Sequence, residues 1–336
     1  GNGKTKKAFK VLNSAVEMFP ENGALHMELA RMAQKMNNTE VAFYHMEQGL
    51  LLDGVLLEDK VPVVLSIYEN RESPSFRALF DRVFPVLERT YSGRIELLLL
   101  TAQIHAQNER WHEALEGYLA AISMNPTNYA LYQMAYSLSQ EVGDVDGQIA
   151  LLERIEENFN ADEDILEGLV FEYYNVGSWA SCARLATAQA EMTLDPEVAG
   201  NLYALAGTAW FQLDSFELGT VAYKKALDQE RSPTTLNNYA WDLATNERNL
   251  EFALQLTAEC NASVELEPAF LDTWAWVLYK MGRYAEAQVK IELALQMLEE
   301  ADRAGTYIHA AKIEQALGNN EKATVYRMKE ALLKQL

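Results

Sequence analysis

Apolar and small residues recur along this chain on two rulers at once. Within short stretches they stand four and three apart, as in Gly219–Tyr223–Ala226 and Ala287–Ile291–Ala294, with Ala323–Arg327–Glu330 in the same register. That spacing puts all three members on one face of an α-helix. Between stretches the whole pattern returns about every 34 residues, the range of a stacked helical-hairpin repeat. It is clearest over 199–232, 233–268, 269–302 and 304–336.

The repeats predict two helices each. In the first helix, Ala206–Gly207, Tyr239–Ala240, Trp274–Ala275 and Ala310–Ala311 hold equivalent places, followed three or four residues later by Trp210, Leu243, Leu278 or Glu314. The small residue lets a neighbouring helix come close, and the large one fills the adjoining groove. Leu213-Asp214-Ser215, Asn246–Asn249, Met281–Tyr284 and Leu317–Asn320 separate the two helices; Gly and Asn there tolerate the positive φ of a tight turn. Pro126, Pro196 and Pro268 follow the ends of second helices, where proline stops helix growth. The predicted fold is all-α, a solenoid of antiparallel helix hairpins.

This pattern resembles the tetratricopeptide repeat family. Repeat 269–302 carries the resemblance in Trp274, Ala275, Leu278, Gly282, Tyr284, Ala287, Ile291 and Ala294, with Glu299 where the family has proline. Residues 94–127 match through Leu100, Thr101, Ile104, Asn108, Trp111, Ala114, Tyr118, Ala121 and Pro126, and 23–54 through Leu29, Ala30, Ala33, Asn37, Ala42, Met46 and Gly49. Repeats 129–161 and 162–196 are looser. Segment 55–93 fits least: Pro62, Pro74 and Pro85 predict helices near 58–70 and 75–90, a degenerate repeat or one that changes curvature or binds. Ala8, Leu12, Ala15 and Pro20 match only the second half of a unit over 1–20, so a fragment of a longer protein is expected.

Composition narrows the function. The 336 residues are 49% hydrophobic, enough for a large cumulative core, while the most apolar window, Ile95–Ile104, is too short to span a membrane and reads as a buried first helix. Net charge is −21, from 49 acidic against 28 basic residues, which weighs against nucleic-acid binding. Lys4, Lys6, Lys7 and Lys10 form the one dense basic cluster and read as a solvated helix face. Cys182 and Cys260 lie in separate repeats and read as buried small hydrophobes. His26, His45, His105, His112 and His309 are scattered, and no metal-ligand spacing, nucleophile elbow, phosphate loop or dinucleotide fingerprint occurs. No enzyme activity and no cofactor is expected.

Stacked hairpins curve so that the first helices line an extended concave face. The family resemblance implies that Asn201, Ala204, Thr208, Phe211 and Gln212 point into it, then Thr234, Asn237, Trp241, Ala244 and Thr245, then Ala269, Asp272, Trp276, Tyr279 and Lys280, and finally His309, Lys312 and Gln315. The candidate ligand-binding set is Phe211, Asn237, Trp241, Asp272, Trp276, Tyr279, Lys280 and Lys312. Large aromatics anchor partners because they bury much area at small rotamer cost, and Asn237 can bond a peptide backbone. The competing reading packs these rings between adjacent helices.

Family members that clamp acidic chaperone tails use a run of lysines and arginines that this groove lacks. The expected ligand is therefore a hydrophobic or mixed peptide or protein. The alternatives are a structural or self-associating solenoid, or a module that presents substrate to an activity lying upstream. Asn238–Trp241, Phe270–Leu278 and Gly282–Tyr284 resemble bacterial versions, including cell-envelope lipoproteins of Bacteroides-like organisms. That resemblance implies a periplasmic or outer-membrane-tethered scaffold, with a cytoplasmic location as the alternative and no direct membrane insertion of these residues.

Overall fold

The computed structural model describes residues 2–160, 162–262 and 267–334. Among them are nineteen α-helices, one 3-10 turn at Glu300–Arg303, and no strand. A first helix, α1 (Asn2–Met18), precedes nine hairpins. These are α2 (Gly23–Lys35) with α3 (Thr39–Leu51), α4 (Leu57–Glu69) with α5 (Pro74–Thr90), and α6 (Ile95–Gln107) with α7 (Trp111–Met124). Then come α8 (Tyr129–Val142) with α9 (Val145–Asn158), α10 (Glu163–Asn175) with α11 (Trp179–Met192), and α12 (Pro196–Gln212) with α13 (Phe216–Gln229). The last three are α14 (Pro233–Thr245) with α15 (Leu250–Ala262), α16 (Pro268–Lys280) with α17 (Tyr284–Met297), and α18 (Ala304–Ala316) with α19 (Asn320–Leu333). The chain divides into two compact units, Gly1–Asn158 and Phe159–Leu336.

Local signals explain where helices begin and turn. Asn22, Asn38, Asp162, Asp195 and Ser232 each cap a helix by accepting from backbone amides in its first turn. Pro74, Pro196, Pro233 and Pro268 open helices. Pro196 and Pro268 thus do more than end the preceding helix: at the first helical position the missing amide costs nothing and the fixed φ favours the new helix. In eight of the nine hairpins the turn holds a left-handed residue, Asn37, Glu109, Gly143, Gly177, Asp214, Glu247, Gly282 or Gly318, and in α14–α15 Asn249 joins Glu247 at positive φ. Three of these eight are acidic rather than Gly or Asn.

The exception is α4–α5, the proline-marked segment. Its turn holds no left-handed residue, and Pro62 and Pro85 sit inside helices, each deleting one internal hydrogen bond. Here α5 packs on α3 while α4 packs on α6. An apolar groove of about 320 Å³ opens between α2 and α4, lined by Met27, Met46, Pro62, Ile67 and Phe76 among others. Lys60, wholly buried, secures the segment by donating to the Leu52 carbonyl (2.9 Å) and the Tyr91 hydroxyl (3.1 Å).

The predicted small positions form the seams. Ala206, Ala240, Ala275 and Ala310 on first helices and Ala226, Ala287 and Ala294 on second helices are fully buried, beside the fully buried rings of Tyr223 and Tyr239. The apolar window lies in α6, where Leu97, Leu100, Ala102 and Ile104 are buried. No described helix is long and apolar enough to cross a membrane. Cys182 and Cys260 are buried free thiols, pushed up to about 12 and about 11 by burial, with the Glu259 charge adding to the second.

Candidate protein-binding face

Within Phe159–Leu336, each first helix touches the next along α10, α12, α14, α16 and α18, while successive second helices stand further apart. The first helices therefore form the inner side of this stack. Helical spacing then assembles the site. Asn237 and Trp241 are one turn apart on α14; Asp272, Trp276, Tyr279 and Lys280 share one face of α16; His309 and Lys312 are neighbours on α18.

Trp276 is the centre. Tyr279 stacks on it at 5.0 Å and 17°, Trp241 lies at 6.1 Å and 29°, and the His309 ring is 4.6 Å away. His309 also sits 5.4 Å from Trp241, bridging the two indoles. Its Nδ1 donates to Asp272 at 2.8 Å, which fixes the ring between the tryptophans. Two ammonium groups stand over Trp276, Lys312 at 4.8 Å and Lys280 at 5.2 Å from the ring centre. Lys280 is also paired with Glu247 at 2.8 Å, and that hydrogen bond, with the ammonium charge, holds the Glu247 carboxyl below its usual range.

The placement of the sequence candidates is uneven. Asn237, Trp241, Asp272, Tyr279 and Lys280 are half-buried on this face, and Lys312 is exposed. Trp276 is only 6% exposed, covered by the rings of its own neighbours, so it backs the surface rather than presenting one. Phe211 is 2% exposed and belongs to the α12–α13 core: it packs on Phe216, Tyr223 and Tyr239, its ring seated against Gly219, where a Cβ would stand 2.5 Å from it. It is not brought to the Trp276 cluster. His309, outside the candidate set although its groove position was legible, is the residue that ties α18 to α14 and α16. Asn237 Oδ1 and Trp276 Nε1 are buried and have no hydrogen-bond partner among the described residues.

Behind Trp241 lies a polar cluster that periodicity does not reveal. Asp242, 3% exposed, accepts from the Tyr223 hydroxyl at 2.6 Å. Thr208 Oγ1 lies 2.6 Å from the same phenol oxygen and also bonds the carboxylate. Burial pushes the Asp242 carboxyl up to about 6, against the pull of those two hydrogen bonds. Burial, followed by the Asp242 charge, pushes the Tyr223 phenol well up. No group of three or more His, Cys, Asp or Glu among the described residues is placed to hold a metal ion.

The hairpin stack and its inner aromatic face define a helical solenoid of the tetratricopeptide type. No family model and no curated protein matches the chain. Among solved structures, it is similar to a tetratricopeptide repeat protein from Parabacteroides merdae, with a TM-score of 0.54 and 17% identity over 72% of this chain and 96% of that one. The Cut9–Hcn1 hetero-tetramer of APC/C gives a TM-score of 0.47 and 13% identity, covering 97% of this chain and 72% of that chain. At 17% identity the likeness to the Parabacteroides protein is one of fold.

Proposed function

We propose that this chain is a non-catalytic scaffold that takes a protein or peptide partner on the α14/α16/α18 face. The observation that carries this reading is the composite aromatic stack, built by three successive first helices, whose Trp241 and Tyr279 remain half-exposed while Lys312 is exposed at the rim. Such rings bury large area with few rotors to freeze, the property of interface anchors. The finer reading, an assembly in the bacterial envelope, rests on the local resemblance of residues 233–299 to bacterial repeats. Fractionation of native cells tests that location directly.

Trp241→Ala combined with Tyr279→Ala tests the face, because both side chains are partly exposed and their loss spares the buried Trp276. Proteins captured by the wild type from its native cells are expected to be lost by the double variant with helicity unchanged. Capture undiminished by a folded double variant overturns the assignment. The burial of Trp276 favours a second reading, in which the stack only fastens α14, α16 and α18 together. In that case the double variant lowers stability and leaves partner capture intact.

A further inference from the structure

Asp242 is buried with no cation beside it among the described residues. From α12 comes the Thr208 hydroxyl and from α13 the Tyr223 hydroxyl. The Tyr174 phenol on α10 interacts with it electrostatically. Helices α15 and α16, which also pack on α14, bring no charged or titratable group to it among the described residues. All three groups that face Asp242 are neutral hydroxyls. The cluster joins four helices and sits directly behind Trp241.

We propose that Asp242 is a proton-operated latch, holding α14 firmly to α12 and α13 when its carboxyl is neutral and loosening that packing when it ionises. The neutral acid fits a site of hydroxyls and apolar neighbours. The carboxylate is a buried charge with no counterion, and removing a charge from water without a partner is costly. The sign follows from the upward displacement of the group, from 3.8 to about 6. The folded chain binds the proton more tightly than the unfolded one, so this stabilisation is complete below the unfolded value and is lost as pH rises through about 6. A displacement of roughly two units corresponds to about a hundredfold in the folding equilibrium. The Trp241-bearing helix is therefore firmer at mildly acidic than at neutral pH, whether or not its face carries a partner.

Asp242→Asn keeps the shape and an acceptor for Tyr223 while removing the charge. Urea unfolding of wild type and variant between pH 4 and 7.5 isolates the group, since all other titrations cancel in the difference. The expected result is a wild type that weakens relative to the variant by about a hundredfold in folding equilibrium across this range. Amide exchange in α12–α14, corrected for intrinsic rate, should rise over the same range in the wild type alone. Parallel stability curves overturn the proposal. Should the variant not fold, carboxyl-carbon NMR of the wild type reads the same property: an Asp242 midpoint near 6 supports the latch, and one near 4 overturns it. Tyr223→Phe, which deletes a hydrogen bond to the carboxylate, is expected to raise that midpoint further.

Discussion

The backbone of Gly207 lies against the ring of Tyr223 so closely that a Cβ at Gly207 would stand 2.7 Å from Tyr223 Cδ2. The ring cannot swing aside. It is fully buried, stacked on Tyr239 at 4.5 Å and 13°, and held at its hydroxyl by Asp242. Glycine inside a helix ordinarily costs about 0.5–1 kcal/mol relative to alanine. Gly207→Ala should nevertheless destabilise, by about 1–3 kcal/mol of overpacking less that helix gain. Urea unfolding measures it, and pairing the change with Tyr223→Leu should recover most of the loss. A more stable single variant would show that the seam has slack.

Glu109 adopts φ 57° in the α6–α7 turn, the place that glycine holds in four other hairpins. Its side chain is exposed, and a left-handed residue with a Cβ costs roughly 1–2 kcal/mol in local strain. Glu109→Gly should therefore raise stability by about 0.5–1 kcal/mol once glycine's greater unfolded freedom is subtracted. Thermal unfolding with an unchanged or lower midpoint would contradict this account of the turn.

His26 and His45 place their Nδ1 atoms 2.9 Å apart inside the α2–α3 hairpin. His26 Nε2 faces the Pro20 carbonyl at 3.0 Å and so carries the proton there, which leaves its Nδ1 to accept from His45. Protonating both rings would set two N–H groups against each other. Burial, and then the charge of His26, lower the His45 pKa. The fold thus binds fewer protons than the unfolded chain, and this stabilisation, present above the unfolded value of 6.5, is lost as pH falls below it. Amide exchange in α2 and α3, corrected for the intrinsic rate, should accelerate from pH 7 to 5, and His45→Phe should flatten that response. The direction is opposite to that at Asp242, so the two units loosen at opposite ends of the range.

The repeat period made the hairpins legible, because helix formation and stacking are read from nearest-neighbour spacing and turn chemistry. It also singled out the first-helix positions that include the residues around Trp276. It could not grade them. Phe211 occupies the same repeat position as Tyr279, yet one is core and the other half-exposed, because Gly219 leaves room that draws the Phe211 ring into its own hairpin. Glu314 stands where Trp210, Leu243 and Leu278 stand in other repeats. It is wholly buried all the same, satisfied by Gln288, Asn319 and Lys322 from α17, the α18–α19 turn and α19.

By itself the sequence determined the all-α hairpin architecture, the turn sites and the irregular proline segment, since each is set by residues a turn or a repeat apart. Tertiary structure alone decided that Trp276 is covered, that His309 bridges two tryptophans, and that Asp242 meets Thr208 and Tyr223 with no cation among the described residues. Exposure and charge pairing depend on what several helices bring to one point, and a repeat pattern records only where each helix begins and which way it faces.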